Sequence, residues 1–218
     1  MTRRAFCILS LLLVLFAAIP ARADSVLIGT TGVATSGLAV SSGQFTAQQW
    51  FLTTGVNVSA INVLLTGNGV GTFSFFLTNS IGPGTTSANV LASGTFAVPN
   101  NGFSLTPAFF SIPTTLSLGI GTYYIVLSST NTAVNLGWLQ LATTLPSSVG
   151  GVAVGGAFFG HSSGLNPSFP PASIWSGGGG NPYGFEIVGN TSVPEPATAL
   201  LLCTGLLGIL RRRVYPPS

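Results

Sequence analysis

The sequence predicts an all-β fold, a single antiparallel β-sandwich of the jelly-roll or immunoglobulin-like kind, and three observations carry that expectation. Short apolar runs alternate with polar residues, turn formers separate these runs, and no segment between residues 24 and 192 shows a convincing helical period. A period of two places successive side chains on opposite faces of a pleated strand. Many short strands with turn signals at near-regular spacing are the pattern of a sandwich. An N-terminal signal helix and a short C-terminal transmembrane helix are expected to flank it.

Three runs show the alternation most plainly. Ile61, Val63 and Leu65 form one, Phe73, Phe75 and Leu77 a second, and Tyr123, Ile125 and Leu127 a third. β-branched and aromatic residues fit a half-buried pleated surface, so each run reads as a strand. Further strands are expected over residues 26–29, 45–52, 90–98, 109–112, 134–141, 152–159 and 184–188. Turn signals stand at Gly67-Asn68-Gly69, Gly82-Pro83-Gly84, Pro99-Asn100-Asn101-Gly102 and residues 177–180, where glycine supplies positive φ and proline fixes its own. A looser stretch, residues 160–182, is expected to cross the end of the sheets. Thr-Thr pairs recur along the chain, but their flanks differ ("GTTGV", "LTTGV", "PTTLS"), which argues against a repeat architecture.

Basic charge is confined to the flanking segments. The chain of 218 residues has six Lys and Arg, all arginine, at Arg3, Arg4, Arg22, Arg211, Arg212 and Arg213. Residues 24–192 hold no base and two acids, Asp24 and Glu186, for a formal charge of −2. Neutralising phosphate requires Lys or Arg, so no nucleic-acid partner is expected. The overall charge of +3 belongs to the flanking segments.

The first 23 residues have the layout of a secretory signal peptide. Arg3 and Arg4 form a basic start, residues 5–19 are apolar, and Ala21 and Ala23 supply small residues at −3 and −1 of a cleavage site before Asp24. Signal peptidase is the implied partner. Both cysteines, Cys7 and Cys203, lie outside residues 24–192, so that region must fold on its apolar core without a disulfide. A domain of about 170 residues can bury roughly 70% of its unfolded surface, which suffices.

Catalytic chemistry finds little to work with. Gly160-His161-Ser162-Ser163-Gly164 matches the G-x-S-x-G nucleophile elbow, but the residues that follow, LNPSFPP, cannot continue as a helix. The chain's one histidine is His161 itself, which leaves Ser162 no base from elsewhere. General acid–base work needs two placed titratable groups, a calcium site several carboxylates, and a zinc site a His or Cys cluster. None of these patterns is present, so no enzyme activity, metal or cofactor is expected. Trp50 and Trp138 belong to strands and are expected in the core. Trp175 and Tyr183 flank the glycine run 177–180 and are the candidate glycan contacts. Asn57-Val58-Ser59 and Asn190-Thr191-Ser192 match the N-glycosylation pattern.

The tail is the most specific signal. Val193-Pro194-Glu195-Pro196 is stiff and extended, because each proline fixes φ and disfavours helix before it. Residues 197–210 are apolar, and Arg211, Arg212 and Arg213 follow as a basic stop. A helix of that length spans about 21 Å, short of a bilayer core of about 30 Å. Arginines that snorkel to the surface can still lodge it in a membrane. They would hold the C-terminus on the cytoplasmic side.

These residues, 193–213, resemble a PEP-CTERM sorting domain, with Pro194-Glu195-Pro196 as its core and "TGLLGILRRR" as its close. The resemblance implies an exosortase partner that cleaves near Pro194-Glu195-Pro196. It also implies passage through the inner membrane of a Gram-negative bacterium to the envelope or extracellular matrix. Residues 47–140, including "AQQWFLTTGVNVSAINVLLTGNGVGTFSFFL" and "LSLGIGTYYIVLSS", resemble choice-of-anchor β-sandwich domains, which implies fold and location but no activity. The expected function is therefore a non-enzymatic exported protein with a structural or adhesive role in exopolysaccharide or biofilm. A cell-surface carbohydrate-binding module is the alternative, and a plain membrane-anchored periplasmic domain the third.

Overall fold

The alternation of apolar and polar residues carries through to the backbone. The computed structural model describes residues 24–104, 108–144, 152–161, 169–177 and 181–191, which form strands and two 3-10 turns, with no α-helix among the described residues. In chain order the strands are β1 (Ser25–Val40), β2 (Gln44–Leu52), β3 (Val56–Gly67), β4 (Thr72–Thr78), β5 (Val90–Ala97) and β6 (Phe109–Leu118). They continue with β7 (Gly121–Ser129), β8 (Leu136–Thr144), β9 (Val152–His161), β10 (Trp175–Gly177) and β11 (Phe185–Thr191).

Two antiparallel sheets result. One has six strands in the order β10-β9-β2-β7-β4-β5, and the other joins β11, β1, β8, β3 and β6. The smaller sheet has an unusual middle. β1 pairs with β11 through Ser25–Gly29 and with β8 from Thr30 to Val40. β3 does the same from the other side, pairing with β11 from Val56 to Val63 and with β8 from Leu65 to Gly67. β8 and β11 thus share one place in the sheet, end to end. Their junction is tied by Gly184 N–H to Leu139 O (2.7 Å), Leu141 N–H to Pro182 O (3.0 Å) and Leu64 N–H to Gly184 O (2.8 Å).

The sheets face each other across one shared core. Ile61, Val63, Trp138, Phe185 and Ile187 come from the five-stranded sheet, and Trp50, Leu52, Phe73, Phe75, Ile125 and Leu127 from the six-stranded one. Phe110 on β6 crosses the gap and meets Phe73 and Phe96 edge-on at 5.4 and 5.7 Å. Each such side chain contributes about 1.5–3 kcal/mol through burial. Trp50 and Trp138 are both fully buried, as their strand positions predict.

Several elements differ from the sequence expectation, among them β6, which runs on to Leu118 rather than ending at Ile112. β1 runs on to Val40 rather than stopping near Gly29, because β8 pairs with its second half. Register shifts between Thr31 and Ala34 and between Ala34 and Ser36, with Gly32 at φ 118°, break the alternation that would have announced it. β10 is a three-residue strand inside the stretch expected to be irregular. Within that stretch, residues 169–174 pack against the six-stranded sheet, whereas Asn181 and Pro182 bond to β8 of the other sheet.

Candidate functional site

Trp175 lies on β10, opposite Gly160 of β9. A β-carbon at Gly160 would come within 3.2 Å of the Phe45 ring and 3.6 Å of the Trp175 ring, so glycine is what lets both rings settle there. The indole meets Phe45 edge-on at 6.3 Å, and its Nε1 donates to Pro171 O at 3.3 Å. Phe45, Ala47 and Val126 alternate with core residues and so point to the outer face, yet all three are buried. Their cover is the segment 169–174. Phe169 meets Phe76 edge-on at 5.7 Å, the turn Pro170–Ala172 rests on β7, and Gly82 N–H donates to Pro171 O at 2.8 Å. Trp175 ends this strap half-buried, beside an exposed Ile174.

Tyr183, the second candidate glycan contact, is fully buried and offers no face to a ligand. The chain turns inward at Pro182 because Gly184 must pass between Leu139 and Leu64; a β-carbon on Gly184 would stand 2.5 Å from that of Leu64. Tyr183 is drawn in with it. Its ring stacks on Trp138, its N–H donates to Gln48 Oε1 at 2.8 Å, and its hydroxyl donates to Phe158 O at 3.2 Å. Burial pushes the phenol pKa well above its ordinary value. Around it Trp138 Nε1 donates to Gly184 O at 2.8 Å, and Thr30 Oγ1 donates to Tyr183 O at 3.1 Å while accepting from Phe185 N–H at 2.8 Å. Every one of these groups closes the junction of β8 and β11.

The outer face of the five-stranded sheet is polar along one row. Asn57 and Asn190, the asparagines of the two glycosylation patterns, lie opposite each other in register. Ser117 Oγ donates to Asn57 Oδ1 (2.7 Å), Asn57 Nδ2 to Asn190 Oδ1 (3.2 Å), and Asn190 Nδ2 to Asp24 Oδ1 (3.1 Å). The other acid, Glu186, accepts from Asn62 Nδ2 at 2.9 Å through Oε2. Both carboxylates are thus held by neighbouring amides. Sequence reasoning missed this row, since an asparagine pattern alone does not say which strands adjoin.

Ala21, Ala23, Pro194, Glu195, Pro196, the apolar run 197–210 and Arg211, Arg212 and Arg213 lie outside the described residues, as does Ser162 of the nucleophile-elbow match. An all-β domain of two antiparallel sheets followed by such a tail is the layout of an exported protein with a sorting signal. Residues 192–214 match the PEP-CTERM protein-sorting motif, one residue beyond the expected 193–213 at each end. The motif marks an exported protein that exosortase sorts and that is directed to the cell envelope. No curated protein matches the chain.

Proposed function

We propose that this chain is a non-enzymatic structural or adhesive protein of the cell envelope or the extracellular polysaccharide matrix, built on a β-sandwich. The sorting motif at residues 192–214 is the observation that carries the reading. Signal peptidase removes residues 1–23 after Ala23, and the domain is exported. The apolar run 197–210 halts in the inner membrane with Arg211, Arg212 and Arg213 on the cytoplasmic side, and exosortase cleaves near Pro194-Glu195-Pro196. A nearly uncharged domain lacks the repulsion that ordinarily keeps exported proteins apart, which suits a matrix component.

Intact mass measured on the protein from each cell fraction tests the pathway. A species beginning at Asp24 and ending near Pro196, found in envelope or medium, is the expected result. A species that still ends at Ser218 in the inner membrane would overturn it and leave a tethered periplasmic domain. Replacing Glu195 by Ala together with Arg211, Arg212 and Arg213 by Ala should hold the uncleaved chain in the membrane fraction.

The carbohydrate-binding alternative keeps one observation in its favour: Trp175 remains half-exposed on the strap. It now rests on Trp175 without Tyr183. Retention on a polysaccharide column that Trp175→Ala abolishes and Trp175→Phe preserves would favour that reading over a purely structural one.

A further inference from the structure

An edge strand presents unpaired N–H and C=O groups that another strand can take up, and natural sheets blunt such edges. Among the described residues the two sheets have four edges: β1 and β6 in the smaller, β10 and β5 in the larger. Three of them are blunted. β10 is only three residues long, and the part of β9 that runs past it carries a register shift between Val154 and Ala157. β6 contains Pro113, which has no N–H to donate. The pairing of β1 is broken by register shifts between Val26 and Ile28, Thr31 and Ala34, and Ala34 and Ser36, and bulges twist an edge away from a would-be partner.

β5 has one such device, a register shift at its start between Val90 and Ala92, and none beyond it. Val90–Ala97 reads VLASGTFA, with no proline and no charge. It pairs with β4 in unbroken register from Ala92 to Ala97, so every second residue directs both its N–H and its C=O outward from the sheet edge. Ser93, Thr95 and Ala97 are exposed on its outer face. On the inner face the Phe96 ring lies back along its own strand over Gly94, where a β-carbon would stand 2.8 Å from the ring. Neither face obstructs a strand arriving in the plane of the sheet.

We propose that β5 is a self-association edge, pairing antiparallel with β5 of a second copy so that two six-stranded sheets join into one. The absence of charge favours a second copy as the occupant. Of the acids among the described residues, Glu186 lies on β11 and Asp24 directly precedes β1, both away from β5, so two β5 edges meet without repulsion. An isologous contact uses one edge from each chain. With the other three edges blunted, association closes at two copies rather than growing into a fibre. The inference is independent of exosortase processing.

Sedimentation velocity on the protein recovered from its host tests it, together with the same chain carrying Ser93→Lys and Thr95→Lys. Both positions are exposed, and the substitutions bring like charges face to face across the two-fold axis. The unsubstituted chain is expected to double its mass as concentration rises. The lysine variant should need about tenfold more protein or greater to do so, with part of the loss restored by salt. Thr115→Lys, on the exposed face of β6, should dimerise like the unsubstituted chain. A chain that stays monomeric, or a dimer indifferent to the β5 lysines, overturns the proposal. Hydrogen exchange needs no variant: the β5 amides should slow with rising concentration, and β5 exchange that ignores concentration likewise sinks it.

Discussion

Trp138 stacks on Tyr183 with ring centroids 4.7 Å apart and planes 19° from parallel, at the point where β8 gives way to β11. The stack belongs to no single strand pairing. It seals a sheet whose middle place is filled by two strands in succession, and its partners reach across to the other sheet through Gln48 and Phe158.

Truncating either ring should therefore cost much more than an average core change. Tyr183→Ala is expected to lose about 3–5 kcal/mol in urea unfolding, the range for large buried aromatics. Tyr183→Phe, which gives up only the bond to Phe158 O, should lose about 1 kcal/mol. A double-mutant cycle with Trp138→Leu should return a coupling of about 0.5–1.5 kcal/mol from the stack.

Alkaline pH should destabilise the domain through the same tyrosine. An unfolded chain releases its phenol protons near pH 10, while burial makes Tyr183 hold its own to higher pH. Above about pH 10 the unfolded state then binds fewer protons than the folded one, so stability is full below that pH and falls as pH rises. The slope per such group approaches about 1.4 kcal/mol per pH unit. Burial raises the Tyr123 pKa in the same direction. Urea melts from pH 8 to 12 should show the decline, shallower in Tyr183→Phe; identical profiles would contradict the assignment.

Gln48 is a buried amide whose bonds all run to backbone. Its Oε1 accepts from Tyr183 N–H, and its Nε2 donates to Gln49 O, Gly155 O and Gly156 O at 2.8, 3.1 and 3.2 Å. Gln48→Leu keeps the volume but strands the Tyr183 N–H away from water. A loss of about 1–3 kcal/mol is expected from that donor, with faster hydrogen exchange at Tyr183.

Thr30 offers a cleaner separation of shape from bonding. Its hydroxyl accepts from Phe185 N–H at 2.8 Å in a fully buried position. Thr30→Val, nearly equal in shape, should cost about 1–3 kcal/mol, whereas Thr30→Ser should restore most of it. Equal stability of the two variants in denaturant melts would show the bond to be dispensable.

Gly189 should tolerate no side chain. A β-carbon there would drive into Asn57 O, on the strand that pairs with β11 at a register shift. Gly189→Ala is expected to open the β3–β11 pairing, seen as lost protection of the amides from Ile187 to Thr191, while β4–β5 pairing persists. Gly82→Ala, whose β-carbon meets nothing within 4 Å, should cost only the strain of φ 104°.

Much of this was legible because a strand declares itself locally. Phe73, Phe75 and Leu77 alternate over a span that one strand covers, and the core took them as the period predicts. Residues 30–40 did not declare themselves, since two bulges shift the face on which side chains emerge, and a pattern of two cannot be read through a shift of one. Trp175 and Tyr183 looked alike in sequence, two aromatics flanking one glycine run. The first stayed at the surface on an edge strand, and the second was pulled into the core by the glycine beside it.

The sequence by itself determined the class and the destination: an all-β domain and a tail whose address is written in consecutive residues. A sorting signal is read by a partner as a linear segment, and strand propensity is set by neighbours two residues away, so neither needs the fold. Only the tertiary structure decided which residues touch. β8 and β11 share one place in a sheet, Asn57 faces Asn190, Trp175 packs on Phe45, and β5 keeps an edge in unbroken register from Ala92 to Ala97. Those facts depend on pairings between strands far apart in the chain, where register and packing, not local preference, choose the partner.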